Sequence, residues 1–182
     1  MQADVFTAEG CRKLVDEAVA EFGQVDICSV GPGGGWHPAG LHALDAAAAL
    51  ENARAELGPL YHLLPRVLPE MYARSWGRVI ALTLVPTYDS PAYAYNVAKA
   101  ARAQAMLLAA PEAGRHGVTL NCLGPGPVEG IPTLEAAVEQ CDHGPAWQER
   151  TALSPQDIAE SVAFLCSEVG RFLTGTVLSF PE

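Results

Sequence analysis

Residues 95–99 read Tyr-Asn-Val-Ala-Lys and open an alanine-rich stretch that runs to Gly114. Alanine is the strongest helix former and glycine commonly ends helices, so the sequence predicts a helix from Tyr95 to Gly114. Residues four apart share one face of a helix, which should bring the Lys99 ammonium beside the Tyr95 phenol. A nearby positive charge favours the ionised form of a phenol. We therefore expect Lys99 to lower the pKa of Tyr95.

Four short apolar runs elsewhere in the chain are typical of buried strands. They occupy residues 25–30, 77–84, 118–123 and 176–180. Helical patterns separate them, which predicts parallel pairing and a layered α/β fold, that is, a Rossmann-like parallel sheet with flanking helices. Sites in such sheets lie beyond the carboxyl ends of the strands. With 182 residues, 49% of them hydrophobic, the chain is expected to form a single domain over residues 1–182.

Three further helices are predicted between the strands. The first starts near Thr7 or Glu9 and stops at Gly23, and another runs from Pro155 to Ser167. Residues 44–74 also favour a helix, but they contain three prolines. Each proline removes a backbone donor, so we expect this helix to be broken at Pro59, Pro65 and Pro69.

Composition excludes several classes of partner and site. A formal net charge of -10 argues against binding to nucleic acid, and no apolar stretch approaches the roughly 20 residues of a membrane span. The first residues lack the order of a signal peptide. The five cysteines are widely spaced and odd in number, which predicts buried thiols of a reducing compartment rather than disulfides or a metal site. We expect a soluble cytoplasmic protein with no metal.

Taken in chain order, these segments resemble the short-chain dehydrogenase/reductase (SDR) family. Tyr95 and Lys99 resemble its Tyr-x-x-x-Lys motif. The other matching segments are residues 3–5, 24–27, 68–71, 77–80, 121–128, 154–159, 162–165 and 173–175. The resemblance implies an NAD(P)-dependent oxidoreductase acting on carbonyls and alcohols.

The resemblance also implies a set of site residues. Tyr95 would be the general acid/base that moves a proton to or from a carbonyl oxygen, with Lys99 as its electrostatic aid, while a nicotinamide carries the hydride. The residues that correspond to cofactor contacts are Asp4, Val5, Gly31, Gly33, Pro125, Gly126 and Val128.

The sequence departs from the family pattern at several positions. Its 182 residues contain no Gly-x-x-x-Gly-x-Gly turn, and the glycine run at residues 31–35 follows a later strand, so we interpret that run as a loop and not as a phosphate cradle. Leu84 stands where the catalytic serine is expected and cannot donate a hydrogen bond. Thr83 is the candidate replacement, with Thr87 and Ser90 as alternatives.

The catalytic asparagine of the family is not evident either. Residues 54–57, in the matching region, read Arg-Ala-Glu-Leu. Glu56 and Asn52 are the polar residues nearby, and we expect both to lie on a solvated face of the helix.

Two functions of different classes follow as expectations. The first is an oxidoreductase-type protein that retains Tyr95 and Lys99, binds NAD(P) weakly or not at all alone, and depends on a partner chain for nucleotide binding. The second is a non-catalytic structural or regulatory subunit. A weaker third is a cofactor-free acid/base enzyme related to halohydrin dehalogenases, which residues 58–69 and 111–116 resemble, although Lys99 and Leu84 argue against that chemistry.

The expected partners are a small-molecule substrate and other protein chains. The strand at residues 25–30 would be central in the family and here is expected to have an unpaired edge, which is an aggregation liability unless it is covered. We therefore expect an oligomer, formed with a second copy or with a full-length relative. The two long helices also resemble those of the family's dimer interfaces.

Overall fold

The structure, a computed structural model, describes residues 2–35, 39–84, 92–125, 128 and 153–180. Within these residues four strands form one sheet in the order β1-β2-β3-β4, and every neighbouring pair is parallel. The strands are β1 (Ile27–Val30), β2 (Gly77–Leu82), β3 (Val118–Gly124) and β4 (Val177–Ser179). The predicted α/β class and parallel sheet are confirmed.

In the same described part of the chain, four α-helices connect and flank the strands. They are α1 (Ala8–Phe22), α2 (Ala46–Ala73), α3 (Tyr93–Arg115) and α4 (Pro155–Cys166), with 3-10 turns at Leu41–Ala43 and Val169–Phe172. The predicted ends of α1 are confirmed. The Thr7 hydroxyl accepts the Gly10 N–H at 3.0 Å, and Gly23 ends the helix with φ 82°. Helix α3 runs one residue beyond the predicted stop at Gly114.

The sheet is covered on both faces, because side chains alternate along its strands. Val79 and Ala81 of β2 join the larger core with α1, α2 and α3, whereas Ile80 joins a smaller core with Leu165 of α4. The sheet is thus the middle of three layers. The site therefore has to be sought at an end of the strands and not on a face.

Helix α2 is continuous over 28 residues, so the predicted interruption at its prolines is wrong. Its buried residues recur at helical spacing and pack against α1 and α3. Tertiary packing overrides the local cost of proline here.

Strand β1 lies at one edge of the described sheet. Among the described residues its only strand partner is β2, and Ile27 at its start is 48% exposed. The predicted unpaired edge is therefore present in the described part of the chain. None of the helices among the described residues is both long enough and apolar enough to cross a membrane.

Candidate active site at the carboxyl edge of the sheet

Most of the predicted site residues follow the carboxyl ends of the parallel strands. Gly31 and Gly33 come after β1, Thr83 after β2 and Pro125 after β3. Helix α3 begins at the same edge, where the Tyr93 N–H donates to the Ala39 carbonyl at 3.1 Å. The first turns of α3 therefore enter the region where sites of parallel sheets lie.

Tyr95 and Lys99 lie side by side in these first turns of α3. The Lys99 Nζ is 5.3 Å from the centroid of the Tyr95 ring. The tyrosine is half-buried, and the lysine side chain is 11% exposed. The spacing of four residues thus brings phenol and ammonium together as predicted.

The ammonium of Lys99 is bound by a buried carboxylate. Glu56 of α2 is fully buried, and its Oε1 lies 2.9 Å from the Lys99 Nζ. The same oxygen accepts the Gly34 N–H at 2.8 Å. The expectation that Glu56 lies on a solvated helix face is wrong, because this face of α2 is turned towards α3 and the glycine run.

Arg102 completes this arrangement and was missed in the sequence. It is fully buried, with its Nε 2.9 Å from the Glu56 Oε2 and 2.9 Å from the Glu56 main-chain oxygen. Its remaining donors reach the carbonyls of Leu82 at 2.9 Å and Gly31 at 3.4 Å, and also that of Pro32. Arg102 therefore joins α2 to the ends of β1 and β2. The signal for it was a second cation three residues after Lys99 in an alanine-rich helix.

The pKa of the Tyr95 phenol is raised above its ordinary value. Burial is the largest cause and the negative charge of Glu56 the second, while Arg102 acts in the opposite direction. The predicted lowering of the Tyr95 pKa is therefore wrong in direction. The physical reason is that burial disfavours the phenolate, and the negative charge of Glu56 disfavours it further.

The Thr83 hydroxyl makes an internal hydrogen bond. Thr83 is 5% exposed, and its Oγ1 donates to the Lys99 main-chain carbonyl at 2.7 Å. This bond fixes α3 against the end of β2, and it uses the one proton that a hydroxyl can donate. The alternatives Thr87 and Ser90 lie outside the described residues.

The glycine segment, residues 31–35, packs directly on α2. The Asn52 side chain donates to the Gly35 carbonyl at 3.0 Å and is 6% exposed, so its expected solvated position is also wrong. A Cβ at Gly33 would overlap the Glu56 carboxylate, and one at Gly34 would overlap the Asn52 amide. Glycine is needed here because the backbone approaches α2 so closely. The segment is the loop that was predicted.

The remaining predicted cofactor contacts lie before α1 and after β3 in the chain. Helix α1 ends before β1 starts, so Asp4 and Val5, which precede α1, lie towards the carboxyl end of β1. The Asp4 carboxylate accepts the Phe6 N–H at 3.0 Å in a turn before α1. Val128 is half-buried, and Gly126 lies outside the described residues.

One N–H of the glycine segment is not free for a pyrophosphate, whereas the two residues that the SDR resemblance assigns to the nicotinamide end lie together. A pyrophosphate needs unpaired N–H groups at a loop or helix start, and within the glycine segment the Gly34 N–H is already taken by Glu56. Tyr95 and Lys99 are the pair that the SDR resemblance assigns to the nicotinamide end, and they lie together. No group of His, Cys, Asp or Glu suited to a metal occurs within the described ranges.

Comparisons with known proteins agree with this architecture. A family model described as enoyl-(acyl carrier protein) reductase matches residues 1–180. Nodulation protein G of Azospirillum brasilense is 27% identical and aligns with 98% of this chain and 73% of its own length. Cyclohexanol dehydrogenase of Rhodococcus sp. (strain TK6) is 29% identical, with coverage of 97% and 69%.

A solved structure shows the same fold. It is a 7 alpha-hydroxysteroid dehydrogenase complexed with NADH and 7-oxo glycochenodeoxycholic acid. The TM-score is 0.81 at 24% identity, over 99% of this chain and 71% of that one. The chain thus spans about seven tenths of the length of these relatives. The family match over residues 1–180 settles the classification: the chain belongs to the short-chain dehydrogenase/reductase family.

Proposed function

We propose that this chain is an NAD(P)-dependent oxidoreductase-type protein acting on a carbonyl or alcohol. Tyr95 would be its proton donor, and Lys99 would assist Tyr95 electrostatically. One observation carries the proposal. A half-buried phenol and an ammonium lie together at the carboxyl edge of the sheet, with the Lys99 Nζ 5.3 Å from the Tyr95 ring.

The chemistry assigned to the chain's own residues is a single proton transfer. A bound reduced nicotinamide would supply the hydride to the carbonyl carbon. The Tyr95 O–H bond breaks as its proton passes to the carbonyl oxygen, which leaves a phenolate that the Lys99 ammonium stabilises. Leu84 cannot donate to the same oxygen and the Thr83 hydroxyl donates to Lys99, so the expected activity is impaired.

A partner chain would complete the nucleotide site. The glycine segment offers no free N–H at Gly34 to bind a phosphate, and β1 has an unpaired edge in the described sheet. A second copy or a full-length relative that covers this edge would bring further backbone N–H groups to the carboxyl end of β1. NAD(P) binding to the isolated chain should accordingly be weak or absent.

Nucleotide binding tests the proposal. NADH and NADPH are titrated into the chain at high and low protein concentration, and nicotinamide fluorescence and the melting temperature are followed. We expect saturable binding that strengthens with protein concentration, since association completes the site. An absence of binding at every concentration, and also in a mixture with a full-length relative, would overturn the proposal.

Substrates for a turnover assay follow from the relatives. They are named for cyclohexanol and for a 7 alpha-hydroxysteroid, which are both secondary alcohols on saturated rings. We propose ring alcohols and the matching ketones as the first substrate class to be assayed.

A non-catalytic subunit is the second candidate function. It is favoured by the binding of Lys99 to a buried carboxylate and by Leu84 at the expected serine position. Under this alternative the chain would keep its fold and its association but would bind neither NADH nor NADPH. The same titration therefore distinguishes the two candidates.

A further inference from the structure

A buried charged cluster lies directly behind Tyr95. It consists of Glu56 from α2 with Lys99 and Arg102 from α3. Glu56 and the side chain of Arg102 are fully buried, and the Lys99 side chain is 11% exposed. Burying an ionised group costs several kcal/mol unless it is paired and hydrogen-bonded. Three such groups in contact therefore constrain one another's positions strongly.

The contacts show that the carboxylate is directed at the lysine. The hydrogen bonds of Arg102 go to main-chain carbonyls. Its Nε lies 2.9 Å from the Glu56 Oε2 as an ion pair, but it donates its proton to the Glu56 main-chain oxygen. The other carboxylate oxygen, Oε1, contacts the Lys99 Nζ at 2.9 Å and accepts the Gly34 N–H at 2.8 Å. Arg102 and Gly34 thus fix the carboxylate from two sides, and Lys99 binds to it.

We propose that Glu56 is a positioning residue for the Tyr95–Lys99 pair: its carboxylate holds the Lys99 ammonium beside the phenol and offsets that positive charge. The catalytic meaning of this role rests on the proposed function. If Tyr95 is the proton donor, Glu56 helps to keep its phenol protonated. Glu56 itself, with no exposed side-chain surface, does not touch a substrate.

The charges around Tyr95 agree with this role. Within the described part of the chain, the groups that face this region are Glu56 from α2, Lys99 and Arg102 from α3, and Cys122 from β3 beside Arg102. Glu56 raises the Tyr95 pKa and Arg102 lowers it. Removing the negative charge should therefore make the phenol easier to ionise.

The test is the alkaline titration of the Tyr95 phenol. The ultraviolet absorbance of wild type and of Y95F is followed against pH, and their difference isolates Tyr95 from the other four tyrosines. The same difference is measured for E56Q and E56Q/Y95F. We expect the Tyr95 midpoint of E56Q to move to lower pH than in wild type. Glu51, on the exposed face of the same helix, provides the control, and E51Q should leave the midpoint unchanged.

A second variant covers the case in which E56Q does not fold. E56D keeps the negative charge but draws the carboxylate back from the Lys99 Nζ, which Glu56 Oε1 contacts at 2.9 Å, and E56D/Y95F is its reference. The Tyr95 midpoint of E56D should also lie at lower pH than in wild type. A midpoint equal to that of wild type in E56Q, or in E56D where E56Q does not fold, would overturn the proposal. No nucleotide is present, so this result is independent of whether the chain binds NAD(P).

Discussion

At the scale of single residues, Arg102 combines an ion pair with hydrogen bonds to three separate segments of main chain, which no other side chain among the described residues does. It pairs with the Glu56 carboxylate and donates to main-chain oxygens of α2, of the glycine segment and of the end of β2. Burial lowers its pKa, and the charge of Glu56 opposes that effect. Its removal would leave a buried carboxylate with less compensation and several carbonyls without donors.

We expect R102M to lower the free energy of unfolding by about 3 kcal/mol, the usual cost of breaking a buried ion pair from one side. Urea unfolding followed by circular dichroism measures the difference. Arg54, whose side chain is 79% exposed in its ion pair with Glu51, supplies the matched control, and R54M should change stability little. Equal losses of unfolding free energy in R102M and R54M would show that the buried ion pair stabilises the fold no more than the exposed one.

The pair Tyr95 and Lys99 was predictable because its geometry is local: a helix fixes which residues lie four apart. The contact of Arg102 with Glu56 spans 46 positions of sequence and depends on how α3 packs on α2. No periodicity in the sequence carries that information. The direction of the Tyr95 pKa was predicted wrongly for the same reason, since both the burial of the phenol and the nearby charge of Glu56 depend on how the helices pack.

At the scale of elements, the glycine segment and α2 are matched to one another. Gly33 lies where any side chain would meet the Glu56 carboxylate, whereas Gly58, within α2, has open space around its Cα. The two glycines thus have opposite requirements. Alanine at Gly33 tests the close packing, and alanine at Gly58 tests the intrinsic cost of glycine in a helix.

We expect G33A to lower the free energy of unfolding by roughly 1–3 kcal/mol, because the new methyl group overpacks against a held carboxylate. G58A should raise it by about 1 kcal/mol, since alanine is the better helix former and meets no neighbour. Thermal and urea unfolding of both variants provide the measurement. Stabilisation by G33A would mean that the segment does not pack on Glu56.

The strands and most helix ends of the described fold could be read from apolar runs and from caps such as Thr7 and Gly23. The continuity of α2 could not. The three prolines predict breaks at their own positions, but the buried face of α2 packs against α1 and α3 and the helix continues through them. Packing energy of this kind depends on the neighbours of a segment, which its own composition does not reveal.

At the scale of the whole molecule, we expect the half-buried Cys28 thiol and the buried Cys122 thiol to make the fold sensitive to alkali. Burial raises the pKa of Cys28 to about 11 and that of Cys122 to about 12, from 9.0. As the pH rises, these thiols lose their protons in the unfolded chain before they lose them in the folded chain. The stability that the protonated thiols contribute is therefore present below about pH 9 and declines as the pH rises towards the folded values.

We expect the free energy of unfolding to fall between pH 9 and 11 by about 1.4 kcal/mol per pH unit for each of these thiols. Urea unfolding at a series of pH values measures the slope. The variant C122A should unfold more easily at neutral pH and show a shallower alkaline slope. An identical slope in wild type and C122A would contradict the assignment of this sensitivity to Cys122.

Association is the other property of the whole molecule that can be tested. We expect light scattering after size exclusion to give a mass at least twice that of the 19.2 kDa chain at micromolar concentration, since the β1 edge needs covering. I27K, which adds a charge at this edge, should shift the protein towards the monomer. Leu108 is a comparison site on α3 and is 73% exposed. Dissociation by L108K and not by I27K would place the contact on the helices instead.

The proton transfer assigned to Tyr95 is tested most directly by turnover. Reduction of a ring ketone by NADPH is followed for wild type, Y95F and the exposed-tyrosine control Y61F, at a protein concentration where the nucleotide binds. If Tyr95 is the proton donor, wild type and Y61F should reduce the ketone measurably and keep this activity into the alkaline range, because burial raises the Tyr95 pKa, whereas Y95F should lose at least about 100-fold. Equal rates in wild type and Y95F would contradict this role.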